Sequence, residues 1–508
     1  MGGAPDGDGS ETHIVPRIWM HVAFVYGAYE NLGIEYLSAC LKRAGHRVSL
    51  IFNPLLFRDA TLDLPWAASW MNRDAWLVDE LVGLEPDLIA FSSTTDWFQW
   101  QVGFARAFKQ RRPGTPVIFG GIHPTTAPEH VLRHPEIDWV CIGEGEEAMV
   151  ELCAELDSGR GPERVANLQG RTFTNPPRPL FQDLDAIPFP DKTLFYEKAP
   201  YFKPVYTLMA SRGCPFKCSF CNNSSLRKVY PNEKHFVRRR SVANVLDELE
   251  QALRDFRFSA VLFEDDIFTG DIERTREFCE GYRARIHRPF VVETHPATTR
   301  IEELELLREA GCVQIEIGIQ TLNAEARRRI ARYETNEQIE SALKALHQSR
   351  IPFFCDHIVG LEGDGLEHHV QALQLYNEIR PGRLNCFFIA YYPMTQVADD
   401  ARTRGDLDPE LEASIADGRV GSNENFGSIV DRQEQRTAES LRFIFAWLPF
   451  LPRPVVRWLL AKRRFERLPR SIFLSKILSG ILATVLGREP RGRTILMRYL
   501  YHLVRLGR

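Results

Sequence analysis

Three cysteines, Cys214, Cys218 and Cys221, form a Cys-x3-Cys-x2-Cys pattern in a loop that follows the apolar run 205–210. Cysteine thiolates bind iron–sulfur clusters, and a four-iron cluster normally takes four of them. No fourth cysteine lies nearby in the sequence, so a cluster held by these three leaves one iron open to a small molecule, as catalytic metal sites do. The alternatives are three buried thiols or a zinc site. Zinc usually takes a second Cys-x2-Cys pair downstream, and the sequence has none.

The composition is that of a globular protein. The 508 residues suffice for about two to four domains, and 44% are hydrophobic and 26% charged. Residues 1–12 are rich in Gly and Asp and do not have the pattern of a signal peptide. Thiolates and an open cluster require a reducing compartment, which predicts a cytoplasmic location.

The net charge of −4 is unevenly distributed along the chain. Residues 440–508 contain fifteen Lys and Arg against two Asp and Glu, a net of +13, which leaves −17 for the remainder. A basic tail on an acidic body indicates a surface for a partner.

Strand-like and helix-like segments alternate through residues 14–157. Five apolar runs read as strands (18–25, 48–51, 88–92, 117–119 and 138–142), and amphipathic helical segments separate most of them. This alternation predicts a doubly wound parallel sheet, and ligands of such sheets bind over the carboxyl ends of the strands. The loops expected there are Ser92–Thr95, Gly120–Thr125 and Gly143–Glu146. Paired glycines in such loops allow the backbone to approach a ligand closely.

The alternation resumes at residue 205, after a turn-rich linker. Six strands are predicted at 205–210, 260–263, 290–293, 313–317, 353–359 and 384–390, with helical segments at 242–256, 272–286, 301–310, 324–348 and 366–379. In β/α barrels the chemistry lies at the carboxyl ends of the strands, and the cysteine loop follows the first of these six. The expected division is a disordered lead (1–13), a Rossmann-like domain (14–157), a linker (158–204), a β/α domain (205–395) and a helical, basic C-terminal region (396–508).

The cysteine spacing, with Phe220 just before the third cysteine, resembles that of the radical S-adenosylmethionine (SAM) superfamily. The three loops ahead of it resemble, in their order, the cobalamin-binding domain that precedes many radical SAM domains. On residues 15–395 the chain is similar to the cobalamin (B12)-binding radical SAM enzymes. The resemblance implies an α/β fold in which a Rossmann-like cobalamin-binding sheet precedes a radical SAM partial (β/α)6 barrel and a helical C-terminal extension.

The same resemblance implies three cofactors: a 4Fe-4S cluster, SAM and cobalamin. Cys214, Cys218 and Cys221 would bind the cluster. SAM would contact Phe220, Glu264, Asp265, Glu316, Gln320 and Gly360. Cobalamin would contact Ser92, Thr94, Gly120, Gly121, His123, Gly143, Glu144 and Gly145. The alternatives are that the acidic strand ends are simply polar, that Glu316 pairs with an arginine in a structural bridge, and that the first sheet binds nothing.

Two positions depart from the family's pattern. The Asp-x-His-x-x-Gly motif that supplies a lower axial histidine to cobalt is missing, because the matching turn reads Tyr29–Gly33. His123 is expected to flank the nucleotide tail or to cap its loop, and not to bind cobalt. Glu362 stands where relatives often have proline.

The resemblance implies a C-methyltransferase that acts on an unactivated carbon of a hydrophobic or natural-product substrate. With an electron from a flavodoxin- or ferredoxin-like donor, SAM would yield a 5′-deoxyadenosyl radical that removes hydrogen from the substrate, and methylcobalamin would donate the methyl group. The alternatives are a cyclase or rearrangement enzyme like the tetrapyrrole cyclases, and a non-catalytic iron–sulfur or cobalamin sensor. A methylthiotransferase fits poorly, because the only cysteines of the N-terminal domain are the widely spaced Cys40, Cys141 and Cys153.

The tail contains the segment Ser471–Leu486, which is apolar apart from one lysine and has basic clusters at 462–464 and 488–493 on either side. It is shorter than the about 20 residues that a spanning helix needs. This pattern is typical of an interfacial anchor, with arginines at the headgroups, and predicts peripheral membrane contact through 440–508 on the inner surface, with a small-molecule or lipid substrate. The alternatives are that these helices cover the open side of the barrel or that the arginines meet an acidic or nucleic-acid substrate, nucleic acid being disfavoured.

Overall fold

The computed structural model describes residues 20–58, 64–419, 428, 431–468, 478–482 and 490–506. The expected lead at 1–13 and most of the apolar segment 471–486 lie outside these residues.

The strands are β1 (His21–Gly27), β2 (Arg47–Asn53), β3 (Leu88–Ser92), β4 (Val117–Gly120), β5 (Trp139–Cys141), β6 (Leu168–Gly170), β7 (Val205–Leu208), β8 (Ser211–Arg212), β9 (Arg238–Arg239), β10 (Ala260–Phe263), β11 (Phe290–Thr294), β12 (Cys312–Gln320), β13 (Phe353–Val359) and β14 (Arg383–Phe388). The α-helices are α1 (Leu32–Arg43), α2 (Pro65–Trp70), α3 (Asp74–Gly83), α4 (Phe98–Arg111), α5 (Ile122–Thr126), α6 (Pro128–Val131), α7 (Glu146–Asp157), α8 (Thr193–Tyr196), α9 (Asn222–Val229), α10 (Val242–Asp255), α11 (Ile272–Arg285), α12 (Ile301–Ala310), α13 (Ala324–Arg329), α14 (Asn336–Ser349), α15 (Leu366–Ile379), α16 (Gln396–Arg404), α17 (Pro409–Ala416), α18 (Arg432–Trp447), α19 (Arg453–Leu460) and α20 (Pro490–Leu506).

The first sheet has the order β2-β1-β3-β4-β5-β6. Its first five strands are parallel, and β6 pairs antiparallel with β5. Every residue of β1 is buried, as expected for a parallel strand with helices on both faces. The predicted doubly wound sheet is confirmed, and the three predicted loops follow β3, β4 and β5. The short β6 was not predicted.

The second sheet has the order β14-β13-β12-β11-β10-β7, and all its strands are parallel. The six predicted β/α units are confirmed, and β7 and β14 form the two edges of the sheet. The cysteine loop follows β7, the first strand. This places it at the end of the sheet where β/α folds bind their ligands.

The helix predicted over 324–348 is two helices, α13 and α14. Thr335 caps α14 through a capping box with Gln338, a pattern that starts a new helix. Between them, Arg332 donates to the carboxylate of Glu334 at 2.6 Å and to the carbonyl of Gly318 at 2.7 Å. These side-chain bonds tie the segment between the two helices to β12.

The C-terminal helices do not form one structural unit. Residues of α18 and α19, including Leu441, Ile444, Phe445 and Val456, belong to the hydrophobic core of the second sheet. The last helix, α20, instead connects both sheets, because Arg498 donates to the carbonyl of Ala28 at 2.8 Å and Arg491 reaches the second sheet. Among the described helices, none combines the length and the apolar composition needed to cross a bilayer.

Candidate functional site

The cysteine loop begins in a tight turn beside the short β8–β9 pair. Gly213 has a φ of +83°, and a Cβ there would lie 2.4 Å from the carbonyl oxygen of Phe236, so only glycine fits. The loop then carries the cysteines to the start of α9, where Cys221 immediately precedes the helix. Cys214, Cys218 and Cys221 are all half-buried and form no disulfide.

Contacts on both sides hold the loop in place. Ser219 N–H donates to the carbonyl of Ile330 at 3.0 Å, and its own carbonyl accepts from Val397 N–H at 3.1 Å. The ring of Phe216 stacks on His295 with centroids 3.8 Å apart. These contacts fix the backbone between the cysteines.

Asp265, at the end of β10, orders the start of the same loop. Its side chain is buried and accepts hydrogen bonds from Ala210 N–H at 2.9 Å and from the Ser211 hydroxyl. Burial raises the pKa of Asp265 to about 6, although these two hydrogen bonds oppose the shift. The predicted contact between Asp265 and SAM stays a prediction, since the structure shows this carboxyl group positioning the loop.

The donor set fits an iron–sulfur cluster. Burial raises the pKa of Cys214 to about 12 and that of Cys218 to about 11, so these thiols are protonated at neutral pH unless a cation is bound. Iron binding requires thiolates, and the charge of the metal would release their protons. Three soft donors on one ordered loop suit a cluster better than a hard cation.

Three glutamates from neighbouring strands converge on Arg491 of α20. Its guanidinium lies 3.2 Å from Glu264, 2.8 Å from Glu293 and 2.7 Å from Glu316. Asn385 also donates to Glu316, at 3.1 Å. Glu316 thus makes the structural bridge with an arginine that was the alternative to SAM binding. Arg491, expected at membrane headgroups, instead closes the second sheet.

The surrounding charges and burial shift the pKa values of Glu293 and Arg491. Burial raises the pKa of Glu293 to about 8, Arg491 opposes this shift, and Glu316 and Glu264 add to it. Burial also disfavours the charged form of Arg491, but the three glutamates outweigh burial and raise its pKa. Loss of the Arg491 guanidinium would therefore raise the pKa of Glu293 further.

Of the remaining residues predicted to contact SAM, Gln320 and Gly360 lie at the carboxyl ends of β12 and β13, and Phe220 lies in the cysteine loop. Gln320 has a φ of +66°, Gly360 follows β13 with a φ of +89°, and Phe220 is half-buried against the core. The side-chain oxygen of Gln320 is buried and accepts no hydrogen bond from the described residues. Because buried acceptors are normally satisfied, a ligand donor fits beside Gln320.

A cavity of about 180 Å³ lies at the carboxyl ends of β3, β4 and β5. Six of the eight residues predicted to contact cobalamin line it, namely Ser92, Gly120, Gly121, Gly143, Glu144 and Gly145. Whole ligands usually occupy about 300–1,000 Å³, so the cavity fits one part of cobalamin, such as its nucleotide base. A Cβ at Gly120 would meet nothing closer than 3.6 Å, so the glycine leaves space that a ligand can use.

Thr94 and His123 do not line this cavity. His123 is fully buried, its Nδ1 lies 3.1 Å from the hydroxyl of Thr95, and its ring packs on Phe98 with centroids 4.4 Å apart. Burial lowers the pKa of His123 to about 4. The structure shows His123 ordering its loop from beneath, which is one of the two roles expected for it.

The loop that lines the cavity contacts the cysteine loop directly. Arg212, two residues before Cys214, pairs with Glu144 at 3.2 Å and with Glu146 at 2.6 Å. Arg238 of β9 pairs with Glu144 at 2.8 Å. Burial disfavours the charged form of Glu144, but these two arginines outweigh burial and lower its pKa. The two predicted cofactor sites are thus neighbours joined by partly buried ion pairs.

Sequence reasoning missed Arg212, Arg238, Tyr230 and Arg491. Tyr230 accepts a hydrogen bond from Glu144 N–H at 3.2 Å and fills the space above Gly143, where a Cβ would lie 1.7 Å from its oxygen. Only Arg212 carried a local signal, since it adjoins the Gly-Cys turn. The others act on residues far away in the sequence.

Comparison with protein families gives two matches in this chain. Residues 18–153 match the B12 binding domain, and residues 208–376 match the Radical SAM superfamily.

Two curated proteins illustrate the range of relatives. An uncharacterized methyltransferase of Pyrococcus horikoshii is 28% identical over 299 residues, which cover 56% of this chain and 62% of that protein. The anaerobic magnesium-protoporphyrin IX monomethyl ester cyclase of Rubrivivax gelatinosus is 25% identical, with 74% of this chain and 69% of the cyclase covered. The chain thus spans somewhat less than two thirds of the Pyrococcus protein.

Among solved structures, the fold resembles that of OxsB, a cobalamin-dependent SAM radical enzyme with aqua-cobalamin and SAM bound. The TM-score is 0.63 at 16% identity, and the match covers 96% of this chain and 80% of OxsB. At this identity the likeness establishes the fold alone.

Proposed function

Since the chain belongs to the radical SAM proteins that carry a B12-binding domain, we propose that it is a cobalamin-dependent C-methyltransferase. Its substrate is a hydrophobic small molecule or lipid, and the methyl group is transferred to an unactivated carbon of that molecule. The observation that carries the proposal is the ion pairing of Arg212 with Glu144 and Glu146, which joins the cysteine loop to the loop lining the cavity. A reaction that uses both cofactors on one carbon requires such proximity.

The chain's own residues bind, orient and shield. Bound here, the cluster and SAM supply a group that removes hydrogen from carbon, and cobalamin supplies a methyl group. The three cysteines hold the cluster, Asp265 fixes their loop, and Gln320 offers SAM an unsatisfied acceptor. Arg491 of helix α20 pairs with the three glutamates and holds the helix against that side of the barrel. A flavodoxin- or ferredoxin-like protein delivers the electron.

Anaerobically reconstituted protein, given SAM, methylcobalamin, dithionite and candidate extracts, tests this function. We expect 5′-deoxyadenosine to form and a substrate to gain the mass of one methyl group. A non-catalytic sensor would yield neither product. If no 5′-deoxyadenosine formed under reducing conditions, the protein would not be a radical SAM enzyme.

A ring-closing enzyme is the second candidate, because the Rubrivivax cyclase aligns over 74% of this chain. The same experiment separates the two activities. A cyclase forms 5′-deoxyadenosine, but its product gains no methyl group and none is lost from methylcobalamin.

The paired glycines after β4 allow a direct test of cobalamin binding. We expect Gly120→Ala to keep its melting temperature and to weaken corrinoid affinity about tenfold or more, since the added methyl enters the cavity without a clash in the protein. Absorbance titration and thermal unfolding measure the two effects.

Gly121→Ala is the matched control for this experiment. Gly121 has a φ of +92°, and a Cβ there would lie 2.9 Å from the backbone of Ser93. This change should lower stability itself, by about 1–2 kcal/mol or more. If Gly120→Ala bound corrinoid with unchanged affinity, the cavity would not be part of the cobalamin site.

We also propose that residues 440–508 contact an anionic membrane surface peripherally. Arg491 and Arg498 turn inward, whereas Leu500, Leu503 and Val504 of α20 are 47%, 45% and 63% exposed. These residues lie on one face of the helix with the exposed Leu496 and Met497. Such an apolar face beside a basic segment is typical of interfacial helices, which enter the headgroup region.

Replacing Leu500 and Leu503 together with serine should reduce flotation with anionic liposomes about tenfold, because each half-exposed leucine contributes about 0.7 kcal/mol on insertion. The control is Tyr333→Ser, which removes a still more exposed large side chain (75%) from the β/α domain. Equal flotation of both variants and the wild type would exclude α20 as the contact.

A further inference from the structure

Three metal-binding side chains meet on the helix-facing side of β13. They are His357 of β13, Asp364 of the following loop and His369 of α15. Successive strand residues point to opposite faces. Asp356 accepts from Asn385, at 2.8 Å, on the face that also carries Glu316, whereas His357 lies against α15. The cluster is thus separate from the site described above.

The three side chains are compact and buried. His357 Nε2 lies 3.0 Å from His369 Nδ1, and the nearer oxygen of Asp364 lies 4.0 Å from the same His369 nitrogen. The side chains of Asp364 and His369 are 0% and 3% exposed, and His357 is fully buried. Solvent water therefore does not satisfy these groups.

The surroundings orient His357 as a metal ligand. Its Nδ1 lies 3.3 Å from the hydroxyl of Tyr376, and its ring stacks on Phe445 with centroids 4.6 Å apart. A histidine that ligates a metal through one nitrogen almost always hydrogen-bonds through the other. Here Nδ1 bonds to Tyr376, which leaves Nε2 directed at His369 and Asp364.

Asp364 is the group that this arrangement leaves unsatisfied. The side chains of Thr321 and Asn323 face this carboxylate, but neither of its buried oxygens accepts a hydrogen bond within the usual limits of distance and angle from the described residues. His368 Nδ1 approaches one of the oxygens only to 3.6 Å. Buried polar atoms of folded proteins almost always have a partner, and the two histidine nitrogens lie beside these oxygens. The unpartnered carboxylate and the two imidazoles together leave room for one metal ion.

We propose that His357, Asp364 and His369 bind one zinc ion in a structural site. Zinc takes imidazole nitrogen and carboxylate oxygen at about 2.0–2.2 Å in a tetrahedron, which puts neighbouring donor atoms about 3.3–3.5 Å apart. The three donor atoms lie within 4.8 Å of one another, with two of the separations at 3.0 and 4.0 Å, so small movements of the side chains would bring them to that geometry. A water molecule or the second oxygen of Asp364 completes the tetrahedron.

The ion would hold the loop that follows β13. Asp364 lies four residues beyond Gly360, which is predicted to contact SAM, and the metal would fix the far end of this segment to α15. The zinc therefore supports the fold around the proposed SAM site and takes no part in the reaction.

Metal analysis of the purified full-length protein tests the proposal. After dialysis against a mild chelator we expect about one zinc per chain, and below about 0.1 in His369→Gln and in Asp364→Asn. Zinc should stay at the wild-type level in His368→Gln, which changes the neighbouring, more exposed histidine. It should also stay in a Cys218→Ala/Cys221→Ala variant, because zinc held by the cysteine loop would be lost there.

X-ray absorption at the zinc edge keeps the test decisive if a variant fails to fold. We expect nitrogen and oxygen neighbours at about 2.0–2.1 Å with imidazole scattering and no sulfur at about 2.3 Å. A sulfur shell, zinc lost from His368→Gln, or wild-type protein with less than about 0.1 zinc per chain would overturn the assignment. The histidines would then form a neutral hydrogen-bonded pair.

Discussion

Cys218→Ala will reduce the formation of 5′-deoxyadenosine from SAM to background. Three thiolates leave one of the four irons without a protein ligand. Without Cys218 a second iron loses its protein ligand, and the cluster is no longer held. Bound iron should fall from about four per chain towards zero, and the paramagnetic signal of the reduced cluster should disappear. Iron analysis, electron paramagnetic resonance and mass spectrometry of the nucleoside measure these changes.

Cys386→Ala provides the matched control, because Cys386 is also half-buried and lies outside the loop, on β14. It should retain iron, the reduced-cluster signal and SAM cleavage. If Cys218→Ala still cleaved SAM at a substantial rate, these cysteines would not hold the cluster.

Arg491→Gln will have the largest effect on stability. The change removes the cation from three carboxyl groups. Breaking a fully buried pair costs about 3–5 kcal/mol, and because 28% of the Arg491 side chain is exposed, we expect about 2–4 kcal/mol here. Helix α20 should detach more readily, which thermal unfolding and limited proteolysis will report.

The loss of stability in Arg491→Gln should be larger at higher pH. The pKa of Glu293 in the folded protein is raised to about 8, whereas in the unfolded chain it is ordinary, so the folded state holds this proton more tightly. The contribution of Glu293 to the free energy of unfolding is therefore present at low pH and is lost as the pH rises from about 4.5 towards 8. Without Arg491 the pKa rises further, so the variant's melting temperature should lie further below wild type at pH 8 than at pH 5.5.

Arg493→Gln is the control, because Arg493 lies on the same helix and is exposed. It should change the melting temperature little at either pH. Equal shifts for the two variants, or a difference from wild type that does not depend on pH, would contradict the role given to the three glutamates.

The parts of the fold that follow from local patterns could be predicted from the sequence. The parallel strands of both sheets and the cysteine loop were found, because periodicity and spacing are properties of short segments. The sequence does not predict the break between α13 and α14, since the break involves a hydrogen bond from Arg332 to Gly318 of strand β12. The pattern of 324–348 is helical on both sides of that break.

The site divides in the same way. Glycines after β4 and β5 signalled a cavity because close backbone approach needs them locally, and six of the eight predicted residues line it. The predicted contact of His123 with cobalamin stays a prediction, and its packing on Phe98 depends on a residue 25 positions earlier in the chain. The pairing of Glu316 with Arg491 joins residues 175 positions apart, and no short pattern reveals such a partner.

Helix α20 has a consequence for how the protein is made. It contacts the carbonyl of Ala28 in one domain and three glutamates in the other, yet it leaves the ribosome after both. During synthesis both sheets therefore leave the ribosome before the helix that pairs with them is available. We expect bulky prosthetic groups to enter the nascent chain at that stage, and maturation to end when the helix docks.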